Sequence, residues 1–132
     1  MNKLLLGILA AAGLVAPFQA AQPRLPPAQG CRGNFLGSYS TVISAQDLVA
    51  SDGLRLGTVQ GIIQQDRANL HRFHRGDRGD GYDDMFLSAE SRALIPRWRL
   101  QVVPPPFAAA IRRGNARINV RVFEGCIEVR PA

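Results

Sequence analysis

The stretch from Ala116 to Arg130 reads ARINVRVFEGCIEVR. Ile118, Val120 and Val122 alternate with polar residues, and Ile127 and Val129 resume the alternation after Glu124-Gly125. A period of two marks a strand with one buried face, and two such runs around a two-residue turn containing Gly make a β-hairpin. The turn sets Val122 opposite Ile127 and Val120 opposite Val129 on the inner face. On the outer face it sets Arg121 opposite Glu128, an opposite-charge cross-strand pair, and Phe123 opposite Cys126.

Cys126 leads outward to the other end of the chain, because the only other cysteine is Cys31. The compartment decides what the pair does. Residues 1–20 read as an export signal: Asn2-Lys3 supplies a positive start, Leu4 to Val15 an apolar run, and Ala20-Ala21 a small-residue cleavage site. The run is too short to span a bilayer, which takes about 20 residues. An uncleaved anchor and a lipidated Cys31 are the alternatives. Export to the periplasm or beyond exposes the thiols to an oxidising environment, where an even pair reads as a disulfide between Cys31 and Cys126. On the chain-entropy account such a bridge is worth roughly 4–5 kcal/mol. Two free thiols or a metal pair are the other options.

Residues 21–30, AQPRLPPAQG, form a Pro-rich leader without pattern. The remainder, 31–132, has the length of one small domain. Leu36 to Ile43 reads as a strand with Tyr39, Thr41 and Ile43 on one face, and the disulfide brings it beside the hairpin. Thr58 to His74 carries Val59, Ile62, Ile63, Leu70 and Phe73 at helical spacing, with Thr58 as the cap and Gly76 as the stop. A second helix is expected after Asp83 or Asp84, with Met85, Phe86, Ala89, Ala93 and Leu94 as its apolar side and Pro96 ending it. After the stiff Pro104-Pro105-Pro106 connector comes a short helix, Phe107 to Arg113, closed by Gly114. The expected fold is α+β: a small antiparallel sheet of the N-terminal strand and the C-terminal hairpin, packed against two or three helices.

The chain has 132 residues and a formal charge of +6, and Lys3 is its sole lysine. Once the signal is removed, no Schiff base, phosphate-loop lysine or lysine base is available. No GxSxG, Gly-rich phosphate loop or other nucleophile motif is present. The positive excess lies beyond residue 91. There Arg97, Trp98, Arg99, Arg112 and Arg113 offer guanidinium groups and an aromatic ring to a polyanion. Both histidines lie in His71-x-x-His74-x-x-Asp77-x-x-Asp80. Two imidazoles followed by carboxylates are adequate ligands for zinc or another transition metal. Asp77 and Asp80 also alternate with Arg75 and Arg78, which describes a loop that neutralises itself in solvent. The chain implies no cofactor beyond that metal ion.

Asp66 falls inside the apolar stripe of the first helix, between Ile62 and Leu70. A buried carboxylate must be paired or protonated. Arg97, Arg99 and Arg121 are the candidate partners. The Gln65-Asp66-Arg67-Ala68-Asn69 segment with Arg72-Phe73 resembles the QDRAN-x-x-RF helix of uncharacterised small exported proteins of Gram-negative bacteria. That resemblance implies a periplasmic address and an α+β fold, with Asp66, Arg67, Asn69 and Arg72 acting together as a structural polar network. The function expected is that of an exported envelope protein, a non-enzymatic binding or structural domain. An anionic envelope component or another envelope protein would be its partner. A metal-binding or hydrolytic protein using His71, His74 and Asp77, and a polyanion binder using the late arginines, are the alternatives.

Overall fold

The structure, a computed structural model, describes residues 11–17, 20–21 and 30–132. Most of the export signal and of the Pro-rich leader falls outside the described residues. Strands β1 (Phe35–Ile43), β2 (Arg99–Val102), β3 (Ala116–Phe123) and β4 (Cys126–Pro131) form one sheet in the order β1-β3-β4-β2. The hairpin has the register read from its alternation, with Val122 opposite Ile127, Val120 opposite Val129, Arg121 opposite Glu128 and Phe123 opposite Cys126. Gly125 takes the left-handed conformation (φ 71°) that the turn requires. β1 joins β3 antiparallel, from Phe35 opposite Phe123 to Ile43 opposite Ala116. The Cys31–Cys126 disulfide closes the same corner of the sheet, with the two Cα atoms 5.6 Å apart.

The sheet is mixed, not antiparallel throughout. β2 runs parallel to β4, Arg99 opposite Cys126 and Val102 opposite Val129. Four half-exposed residues carry too little alternation to announce a strand, and only the neighbouring β4 makes them one.

Three helices, α1 (Val59–His71), α2 (Ala89–Leu94) and α3 (Ala108–Arg112), complete the α+β fold. Val59, Ile62 and Ile63 of α1, with Phe86, Ile95 and Ile111, pack against Tyr39, Ile43, Ile118, Val120, Val122, Ile127 and Val129 of the sheet. Thr58 caps α1 by accepting a hydrogen bond from the Gly61 N–H (3.1 Å). The helix ends before the glycine expected to stop it. His74 supplies the left-handed residue (φ 51°), while Phe73 N–H and Arg75 N–H donate back to Ala68 and Asn69 carbonyls.

α2 differs more from expectation. Its cap is Ser88, and Met85 and Phe86 lie in the preceding turn, which Asp83 holds by accepting from Phe86 N–H (2.8 Å). Ala89 and Leu94 are exposed, and the one buried residue of α2 is Arg92. Pro96 follows in a 3-10 turn, Ile95–Arg97, as a proline past a helix end should. A 3-10 turn at Pro105–Phe107 leads into α3, and Gly114 (φ 70°) closes it. No helix among the described residues is long and apolar enough to cross a membrane.

Candidate functional site

The buried face of α1 starts apolar and turns polar one turn later: Gln65, Asp66, Arg67 and Asn69 are all buried. Arg67 is 0% exposed and is the hub. Its Nε donates to Asp66 Oδ2, its Nη1 to Asp83 Oδ2 and to the Gly81 carbonyl, and its Nη2 to Thr41 Oγ1, each at 2.8 Å. The guanidinium lies 4.1 Å from the Tyr39 ring centroid, a cation–π contact that covers its face. Asp66 is therefore paired with its own neighbour. Arg97 and Arg99 are exposed, and Arg121 reaches Glu128 on the outer face of the sheet. Adjacent residues on a helix point about 100° apart and do not normally meet. Here Arg67 reaches back because β1 and the 77–83 loop fix its other nitrogens.

That loop was expected to be solvated, but its carboxylates turn inward. β1 is an edge strand with unpaired backbone groups. Asp80 Oδ1 accepts from Val42 N–H (3.0 Å), and Gly81 N–H donates to the Ser40 carbonyl (2.6 Å). The loop thus covers an edge that would otherwise invite pairing with another chain. A Cβ on Gly81 would lie 2.5 Å from the Ser40 carbonyl oxygen, so only glycine permits this approach. Asp83 Oδ2 also meets His71 Nε2 at 2.9 Å. A second branch runs from Gln65 to Asn69 (3.0 Å), and from Asn69 to Asp47 (2.8 Å) in the turn after β1.

Proton counting at Thr41 favours a neutral carboxyl. The hydroxyl has one proton and two lone pairs. It accepts from Arg67, yet it also meets Asp66 Oδ1 at 3.0 Å and Asp80 Oδ1 at 2.8 Å. It has one proton to give, and a proton on one of the two carboxyls would supply the second donor. Asp80 accepts from backbone N–H groups on both oxygens, those of Val42 and Asp77, as a carboxylate does. Asp66 Oδ1 receives no backbone N–H among the described residues, so a proton there fits the bonding. Burial pushes the Asp66 carboxyl up to about 7, against the pull of Arg67. Burial likewise pushes Asp47 up to about 6. Asp83 is held below the ordinary value: burial opposes ionisation there, but hydrogen bonds from Arg67 and His71 prevail. One buried cation thus faces the carboxylate of Asp83 directly, with Asp66, its carboxyl pushed up to about 7 by burial, beside it.

The proposed metal ligands are not brought together. His71 turns to Asp83, His74 is exposed, Asp80 faces Thr41 and Val42, and Asp77 Oδ2 is buried without a hydrogen-bond partner. Among the described residues no group of three His, Cys, Asp or Glu side chains is placed to hold a metal ion. His71 and His74 instead line a cavity of about 320 Å³ with Leu70, Tyr82 and Leu87. The late arginines do not form one patch. Arg97, Trp98 and Arg99 sit where β2 begins, beside Cys126 and the hairpin turn. Arg112 and Arg113 end α3 just before Ala116, which pairs with Ile43 at the opposite end of β3. That strand is about 25 Å long.

Of the four network residues read from the helix motif, Asp66, Arg67 and Asn69 are members. Arg72 is not: it is exposed, its guanidinium 5.0 Å from the Phe73 ring. Sequence reasoning missed Thr41, Asp47 and Tyr39, whose roles depend on which strand meets α1. The Asp77-x-x-Asp80-x-x-Asp83 spacing was visible, but nothing local says that the acids face inward. Arg92 was missed because a buried arginine has no pattern of its own. Compared with known proteins, the chain matches no protein-family model, no curated protein and no solved structure.

Proposed function

We propose that this chain is a small exported domain of the bacterial envelope that acts by binding and not by catalysis. The observation that carries this reading is the fate of the acid–base groups. Asp66, Arg67, Asp80, Asp83 and Asp47 are committed to holding β1, α1 and two loops together, and none of them lines either of the two cavities beside α1, where His71 and His74 are the only acid–base groups besides Asp52, Tyr82 and the arginines. The export signal at residues 1–20, the Cys31–Cys126 bridge and the resemblance of the QDRAN helix to exported Gram-negative proteins support the address.

Expression of the full chain in a Gram-negative host, followed by fractionation and intact-mass measurement, tests the address. A periplasmic protein is expected, lacking about twenty N-terminal residues and two thiol hydrogens. A full-length, reduced protein in the cytoplasm would overturn it. Melting with and without millimolar zinc tests the rival built on His71, His74, Asp77 and Asp80. An unchanged midpoint is expected, and a saturable rise would favour the metal-binding reading instead.

A further inference from the structure

A cavity of about 380 Å³ opens between α1, the start of α2 and the turn at residues 50–53. Two arginines line it, Arg72 from the end of α1 and Arg92 from α2. Arg92 is 6% exposed, and burying a cation requires compensation. Its Nη1 donates to the carbonyls of Phe86 (3.0 Å) and Leu87 (2.7 Å). Among the described residues, no carboxylate lies within salt-bridge distance of Arg92 or Arg72, and Arg92 Nε and Nη2 donate to no protein acceptor. Neither of these nitrogens is a fully buried orphan, so both keep contact with solvent.

The edge of the guanidinium left free is the Nε–Nη2 side, whose two parallel N–H groups match the two oxygens of a carboxylate. The carbonyl pair on Nη1 locks the plane of that fork, so little side-chain entropy is lost on binding. Arg72 adds a second cation, and its charge is one reason that Arg92 is held below the ordinary arginine value, after burial itself. An anion between the two relieves the repulsion and gives Arg92 a direct partner, where Glu90 and Asp83 act on it only from beyond salt-bridge distance. Gln64 offers an amide from α1, and Asp52 is the one carboxylate of the lining, leaving it net positive.

We propose that this cavity is a binding site for a small oxyanion, a carboxylate or a phosphate, gripped side-on by Arg92 with Arg72 as the second cation. The proposal rests on the reading of the chain as a binding domain and names its ligand class.

The test is an NMR titration of the purified, disulfide-bonded protein, following arginine Nε–H resonances. Succinate, glutamate and inorganic phosphate are the probes, each to millimolar concentration. A saturable shift of Arg92 Nε–H with at least one of the three is expected, weakened about tenfold or more in Arg72→Gln, whose exposed side chain the fold does not need. Arg92→Lys keeps the charge but lacks the fork, and it should bind each probe about tenfold or more weakly. Tighter binding of phosphate or of the carboxylates names which oxyanion the site takes, and no saturable shift of Arg92 Nε–H with any of the three would overturn the side-on assignment. Shifts spread over all arginines, or unaffected by Arg72→Gln, would overturn the site. Recovery of the probe unchanged accords with a binding domain. Its chemical conversion would overturn the non-catalytic reading while leaving the site in place.

Discussion

Arg67 and Asp66 are adjacent in sequence, yet they contribute to stability in opposite ways. Removing the cation strands Asp83 in the interior, so Arg67→Met should cost about 3–5 kcal/mol, read as a fall in the denaturation midpoint. Asp66 is the carboxyl that burial pushes up to about 7, and Asp66→Asn preserves the bonding of its protonated form: the amide N–H₂ donates to Thr41 and the carbonyl accepts from Arg67. That variant should melt close to wild type in acid, near the ordinary carboxyl value, and above wild type at neutral pH. Its pH profile should differ. The folded chain holds protons on Asp66 and Asp47 up to about 7 and about 6, whereas the ordinary carboxyl value is 3.8. Between those limits the native state binds more protons than the unfolded state. The stabilisation from these two groups is complete below the ordinary value and is lost as pH rises through the folded values. Asp83 and Glu128 are lowered and act oppositely, losing their contribution in acid. Stability should therefore peak in mild acid and decline toward neutrality, and Asp66→Asn should flatten that decline. A wild-type profile that rises from mild acid to neutral pH would contradict the proton assignment.

At the scale of elements, the 77–83 loop does the work of a fifth strand without being one. It satisfies the free edge of β1 through Asp80 and Gly81, and delivers Asp83 to Arg67. Gly81→Ala pushes a methyl group into the Ser40 carbonyl, and the loop must lift. Lifting exposes the β1 edge and breaks the Arg67 bond to the Gly81 carbonyl together. We expect a loss of about 2–4 kcal/mol and faster amide exchange at Val42 and Gly81, while exchange in β3 and β4 stays slow. The stripe of α1 was legible because Val59, Ile62 and Ile63 repeat at helical spacing. The inward turn of the loop was not, since Arg-Gly-Asp repeats look the same whether their acids face water or an arginine. The start of α2 misread for a similar reason. Asp83 and Ser88 are both good caps, and the one chosen depends on Asp83 being engaged by Arg67, His71 and Phe86.

For the molecule as a whole, the disulfide and the β1–β3 ladder tie the same two chain ends. Cys31 lies four residues before Phe35, and Cys126 three after Phe123. The bridge is a reinforcement of a contact that the sheet makes anyway. The double variant Cys31→Ser, Cys126→Ser should keep a native-like circular dichroism spectrum while losing about 2–5 kcal/mol of stability. A chain unfolded in native buffer would show that the ladder cannot hold the ends alone. By itself, the sequence determined the hairpin register, the strand beside it, the first helix and the cysteine pair. Each of these is written in local periodicity, turn chemistry or a count of two. Tertiary structure alone decided that β2 is a strand parallel to β4, that Asp66 is buried against Arg67 with its carboxyl pushed up, and that Arg92 is buried with a free edge. Those outcomes depend on which groups from distant segments reach one point, and on how much water is excluded when they do. Neither quantity is carried by residues near one another in the chain.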